Sequence, residues 1–347
     1  MEDCAYADDF EEDEDEATPP PPPQPRQISK EELALGRQLG GGAFAAIYAC
    51  TWSPAHGPPL ACAAKVLVDA SDSAAFHSEL RALGAFGEHP NLLRLLGSSA
   101  LPQSCFVTEL LGPTLSQGLR HHAGGGLSLP LSLAADVTRG VAHLHALKPV
   151  PLLHRDIKPS NILLRGGPAP TAVLADFGLA GNRLSSAGTP THMAPELFKE
   201  GALPTRASDV YALGCVLWSL LSGEEAWVGW RVEDIRRAVC TGERLSVGRV
   251  RGDTPPAVRE ALEGCWREDP SARVTAGALA ACLGKAAAAA AAVAAPEGSG
   301  VTEGSGRSGG GGGGMLGKAK GASSAGGGDS LDDLFSAATG RRAGGRK

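Results

Sequence analysis

No two of the eight cysteines, Cys4, Cys50, Cys62, Cys105, Cys215, Cys240, Cys265 and Cys282, form a CxxC pair. Scattered thiols suit a reducing compartment and indicate neither zinc nor disulfides. A chain of 347 residues also has no need of a disulfide scaffold to build a core. No apolar run is long enough to span a bilayer: the longest, Ala286 to Ala295, is almost all alanine and reads as an extension of the preceding helix. The N-terminus lacks the basic and apolar regions of a signal peptide, so export is not expected and the location reads as cytoplasmic, with the nucleus as the other choice. Basic residues are missing until Arg26, while ten Asp or Glu fall before residue 17. Setting that acidic block aside turns the net charge of -6 into about +4, too small a surplus for a nucleic-acid surface.

What is present is unevenly spread. Of 47 glycines, 18 lie in residues 296–347. Residues 1–27, acidic and then proline-rich from Pro19 to Pro23, and residues 286–347, Ala- and Gly-rich, read as tails that cannot bury a core. The folded unit expected between them, 28–285, starts with strands in LGRQL, AAIYACTW and LACAAKVLV. A helix follows Asp72, carrying Phe76, Leu80, Ala82, Leu83 and Phe86 and ended by His89-Pro90; LLRLLGS and CFVTELL return to strand. From Leu131 helices dominate. Leu133, Val137, Val141, Leu144 and Leu147 mark one amphipathic face, and DVYALGCVLWSLLSG is apolar nearly all round, hence buried. The prediction is an α+β fold with a small β-rich N-lobe (28–111), a larger helical C-lobe (112–285) and a ligand cleft between them.

Three groups of residues carry chemistry. Gly40, Gly41 and Gly42 sit between two predicted strands, where the absence of Cβ lets backbone amides approach phosphate oxygens, although a plain hairpin turn has the same composition. Lys65 follows an apolar strand and can pair with a phosphate and with Glu79 on the next helix. The run LLHRDIKPSNILL, Leu152 to Leu164, puts a carboxylate (Asp156), a cation (Lys158) and an amide (Asn161) in one loop, and Asp176 opens DFG after the strand TAVLA. A hard oxygen ligand at a strand end suits Mg2+.

LGGGAFAAIY, AAK, HRDIKPSN, DFG and the APE of Ala194 to Glu196, in this order, resemble the eukaryotic protein kinase family over residues 30–285. The resemblance implies a bilobal protein-kinase-like fold that uses ATP and Mg2+. It puts Gly40 and Gly42 over the ATP phosphates, with Leu39 and Gly41 beside them. Lys65 would contact the α and β phosphates, clamped by Glu79. Asp156 would be the catalytic aspartate, Lys158 would approach the γ-phosphate, and Asn161 and Asp176 would hold Mg2+. Adenine would lie between Ile47 and Ala63 above and Leu163 below, against the backbone of Glu109 to Leu111, with Thr108 as gatekeeper. Leu83, Leu95, His154 and Phe177 match the family's regulatory stack, Glu196 and Arg273 its buried ion pair, and Asp209 the anchor of the catalytic loop or a plain helix N-cap.

Lys158, Gly188 and Thr189 resemble the serine/threonine class, with Thr189 bridging Asp156 and Lys158. VLWSLLSGEEAW and DPSAR most resemble the tyrosine-kinase-like group. Protein substrates with Ser or Thr acceptors are the implied partners. The sequence departs from the family pattern at Ala45, in place of the third loop glycine, which adds strain if φ is positive there. The segment from Asp176 to Glu196 is also short, and His192 replaces an aromatic residue and is expected to be neutral and packed. A nucleotide-binding pseudokinase and a signalling scaffold are the alternative function classes. Ser185 and Ser186 are candidate phosphorylation sites that would pair with Arg155. In the C-terminal tail, residues 330–339 could form a short helix with Leu331, Leu334, Phe335 and Ala338 on one face, for a tail-binding protein.

Overall fold

A computed structural model describes residues 25–41, 45–69, 73–99, 104–119, 126–167, 169–180 and 188–294. The acidic block, Gly42, Ser185, Ser186 and the candidate tail helix lie outside the described residues.

The β-rich first third forms one antiparallel sheet from β1 (Leu33–Gly41), β2 (Ala45–Trp52), β3 (Leu60–Leu67), β4 (Leu95–Ser99) and β5 (Cys105–Glu109), in the order β1-β2-β3-β5-β4. Alternation along the strands gives the sheet two faces. On one, Cys50, Trp52, Cys62, Ala64, Val66, Cys105 and Val107 form a small core with Ile28. The other carries Ile47, Ala63 and Lys65 to a large cavity. Helix α1 (Ser73–Ala85) buries Phe76, Glu79, Ala82 and Leu83. It ends at Ala85, ahead of the expected stop at His89-Pro90, and Gly87 turns the chain at φ +70°.

Past β5 the chain crosses Leu110 to Pro113 into α2 (Leu115–Leu119) and α3 (Ser128–Ala146). The hairpin β6 (Ile162–Arg165) and β7 (Thr171–Leu174) precedes α4 (Arg206–Ser222), α5 (Val232–Cys240), α6 (Pro256–Cys265) and α7 (Ala276–Ala294). The expected face of α3 is the buried one: Leu133, Val137, Val141 and Leu144 sit in the main core. Every α4 residue from Ser208 to Leu221 is buried, as its all-round apolar pattern demands. Its N-cap is Thr205, whose side chain accepts from the Ser208 amide, so Asp209 is not the cap.

The alanine run does extend the preceding helix. The joined helix α7, 19 residues with a mean hydropathy of 1.6, is long and apolar enough to cross a bilayer, which the run alone is not. In this fold its Ala276, Leu279 and Leu283 are buried in the main core, and it packs along α3 and α6.

Candidate active site

A cavity of about 570 Å³ opens between the sheet and the helical part. It is lined from the sheet by Leu39, Gly40, Ile47, Ala63, Lys65, Thr108 and Glu109, from the crossover by Leu111, and from below by Asn161, Leu163 and Asp176. Glu79 reaches it from α1. The size and the mixed apolar and polar lining suit a nucleotide-sized ligand. A Cβ at Gly40 would meet nothing within 4 Å, so the lost side chain keeps that part of the cavity open. Gly41 does not line the cavity; a Cβ there would come within 3.0 Å of the Ala45 carbonyl, which ties its glycine to strand pairing instead. Ala45 carries no positive φ and pairs with Leu67 across β2–β3, so the expected strain at this departure is absent.

Lys65 Nζ lies 2.5 Å from Glu79 Oε2. Burial pushes the Glu79 carboxyl above the usual glutamate range, and the charge and hydrogen bond of Lys65 pull it back only in part.

Below the cavity the loop before β6 is fixed from several sides. Asp209 Oδ2 accepts from the His154 amide (3.0 Å) and from His145 Nε2 (2.9 Å), and Oδ1 accepts from the Arg155 amide (2.8 Å). His154, fully buried, donates Nε2–H to the Ala175 carbonyl at 3.0 Å and accepts the Asp156 amide at Nδ1. Burial holds its imidazole below the usual range. The Arg155 guanidinium donates to the Leu179 carbonyl at 2.7 Å. Arg155 and Asp176 both have positive φ, 73° and 64°, a conformation kept only where surroundings over-determine it. Phe177 is fully buried, with His154 edge-on and Phe86 tilted against its ring, each at 4.8 Å between ring centroids. Sequence reasoning missed Phe86 as a partner in that cluster, because a helix-end aromatic does not declare which ring it will meet.

Asp156 collects its polar neighbours on both oxygens. Thr189 donates its hydroxyl to Oδ1 at 2.6 Å, Asn161 donates Nδ2 to Oδ2 at 2.9 Å, and Lys158 Nζ lies 2.7 Å from Oδ2. Lys158 also donates to Thr189 Oγ1 at 2.7 Å, so the threonine bridges the two as expected. Burial raises the Asp156 carboxyl, but the hydrogen bonds of Lys158 and Thr189 and the Lys158 charge outweigh it and leave it below the usual aspartate range. Asn161 spends its amide nitrogen on Asp156, at the backbone carbonyl as well as at Oδ2. Asn161 and Asp176 both line the cavity, and their side-chain oxygens are of the hard type that suits Mg2+.

His192 is packed beside Asp156 and Lys158, with Nδ1 2.8 Å from Thr191 Oγ1, and burial pushes it down to about 4, hence neutral near pH 7. Below it, Arg273 makes two 2.7 Å hydrogen bonds to Glu196 with its own side chain wholly buried.

A family profile described as "Protein tyrosine and serine/threonine kinase" matches residues 33–283. The chain belongs to the protein kinase family. Among curated relatives, this kinase chain is 33% identical over 278 residues to mitogen-activated protein kinase kinase kinase 10 of Mus musculus, covering 74% of this chain and 28% of that one. It is 32% identical over 270 residues to dual specificity protein kinase shkC of Dictyostelium discoideum, covering 72% and 50%. It is 32% identical over 261 residues to serine/threonine-protein kinase CTR1 of Arabidopsis thaliana, covering 69% and 30%. The chain thus spans half or less of the length of these kinases.

Proposed function

We propose that this chain is an active ATP-dependent protein kinase that transfers the γ-phosphate of ATP to serine and threonine hydroxyls of protein substrates. The observation that carries the reading is the Thr189 hydroxyl, which joins Asp156 Oδ1 to Lys158 Nζ. This arrangement supplies an aspartate and a cation, held in register, beside Asn161 of the cavity lining.

In this reading Leu39, Gly40, Ile47, Ala63, Thr108, Glu109, Leu111 and Leu163 enclose the nucleotide base and sugar, and Lys65, oriented by Glu79, faces its phosphates. Asn161 and Asp176 would hold Mg2+, which would supply positive charge against the phosphates. Asp156, ionised at neutral pH and held by Lys158 and Thr189, accepts the hydrogen bond and then the proton of the incoming hydroxyl. Lys158 stands ready to balance charge on the transferred group. Asp209 acts through others: by gripping the His154 and Arg155 amides it positions the loop that presents Asp156.

Residues 28–285 form the catalytic unit in this proposal, and residues 330–339 of the C-terminal tail are proposed as a short helix for a tail-binding protein. Ser185 and Ser186 are proposed phosphorylation sites, and the cytoplasm, with the nucleus as alternative, is the proposed location. The test is transfer from labelled ATP with Mg2+ to a generic basic protein, followed by acid hydrolysis. Label on phosphoserine or phosphothreonine is the expected result. Retained ATP binding without transfer would replace this reading with a nucleotide-binding signalling module.

A further inference from the structure

The face of the sheet turned away from the nucleotide cavity holds three buried thiols that the reaction does not use, Cys50, Cys62 and Cys105. Cys50 and Cys62 are direct partners across the antiparallel β2–β3 pair. Their Sγ atoms lie 2.8 Å apart. Facing residues of such a pair have Cα atoms about 4.5–5.5 Å apart, inside the span that a disulfide bridges without moving the backbone. Cys105 is opposite Val66, four residues along β3 from Cys62, roughly 13 Å at the usual strand rise. The partner choice is therefore unambiguous.

We propose that Cys50 and Cys62 are a reversible oxidation site, closing to a cross-strand disulfide under hydrogen peroxide. Either sulfur of the pair can attack, and the step is written for Cys62. The contact between the two sulfurs draws the Cys62 pKa down against the effect of burial, while the same contact and burial push Cys50 up. The Cys62 thiolate attacks one peroxide oxygen, the O–O bond breaks, and the departing hydroxide takes a proton to leave as water. Cys62 is then a sulfenic acid. Cys50 Sγ attacks the Cys62 sulfur, the S–O bond breaks, and the Cys50 proton leaves with the hydroxide as a second water. Two thiols are oxidised, one peroxide is reduced, and a dithiol reductant reverses the step.

The pair is buried, and the segment Arg26 to Ile28 packs on the same face through Ile28, so that its local opening would expose the thiols. It is held by two 2.8 Å backbone hydrogen bonds to Ser98, by the buried Ile28, and by the Arg26 guanidinium 4.7 Å above the Trp52 ring. So short a strap, secured by few bonds, opens at small cost in local free energy and admits a small oxidant. The bond would tie together the two strands that carry Ile47, Ala63 and Lys65.

The test uses the reduced full-length chain and does not depend on kinase activity. The chain is exposed to hydrogen peroxide, quenched with catalase, denatured, alkylated with N-ethylmaleimide and peptide-mapped. The expected map links the Cys50 and Cys62 peptides, with neither residue alkylated, and dithiothreitol restores both labels. Cys105→Ser keeps the link, and Cys50→Ser leaves Cys62 as a sulfenic acid that dimedone captures. Peroxide-treated wild type with both cysteines still alkylated, or with either one linked to a different cysteine, overturns the proposal.

Discussion

β1, which roofs the nucleotide cavity, is exposed along almost its whole length, whereas the loop that carries Asp156 beneath the cavity is bonded from the buried Asp209, His154 and Asn161. The roof offers backbone and an absent side chain at Gly40; the floor offers charged side chains with fixed orientations. Binding a flexible phosphate chain tolerates a roof that adjusts, but proton acceptance requires a carboxylate that does not. The same contrast divides the hydrophobic packing. The sheet's outer face has a small core of its own, while the main core runs through α3, α4, α6 and α7 and holds the floor rigid.

The largest expected effect breaks the floor from below. Arg273→Ala leaves Glu196 without its two hydrogen bonds in a mostly buried site and is expected to cost about 3–5 kcal/mol, read as a lower denaturation midpoint. A stability change under 1 kcal/mol would mean that the pair does not anchor this region. Removing a single hydroxyl is a smaller break. Thr189→Val deletes one hydrogen bond to a charged oxygen and one from a charged nitrogen, each about 1.5–3 kcal/mol. The phosphotransfer rate is expected to fall about tenfold or more, with the KM for ATP little changed and Thr189→Ser restoring most of the loss. A change in KM alone would assign Thr189 to nucleotide binding rather than to the Asp156–Lys158 geometry.

A pH series sharpens the comparison without breaking either wall. The Glu79 pKa is raised and the Asp156 pKa is lowered, so on acidification Glu79 protonates first and gives up its charge on Lys65 while Asp156 is still ionised. The acid limb of activity is therefore expected to follow Glu79. In Glu79→Gln the residual activity should hold to lower pH. The stability signs are opposite: the Asp156 contribution is present above its unfolded pKa and lost as pH falls through the lower folded value, while the raised Glu79 pKa favours the fold at low pH and is lost on rising through it. An acid limb unmoved in Glu79→Gln would assign the titration to another group.

Most of the site was legible in the sequence because its residues travel in short local runs. HRDIKPSN and DFG each fix several spacings at once: in the structure Asn161 and Asp176 line the cavity, and Asp156 and Lys158 join it through the hydrogen bond of Asn161 to Asp156 and the Lys158–Asp156 ion pair. The bridge from Thr189, 33 residues past Asp156, was legible only through the family resemblance. Strand order followed from short runs set off by Gly or Pro turns, and α4 from its apolar residues all round. Ends were harder. Gly87 rather than Pro90 turns the chain after α1, and Thr205 rather than Asp209 caps α4, because Asp209 is drawn inward by backbone amides 54 and 55 residues away in sequence. The Cys50–Cys62 pairing was not visible either, since it depends on β-register and not on the spacing of the cysteines.

The central claim is that the floor performs the chemistry while the roof holds the nucleotide, and it is tested most directly in Asp156→Asn. Binding of a fluorescent ATP analogue and transfer of labelled phosphate to a basic protein are measured on the same preparation, beside wild type. The account predicts unchanged nucleotide binding and a loss of transfer of about 10²–10⁴-fold. Equal transfer by the variant and wild type would contradict it.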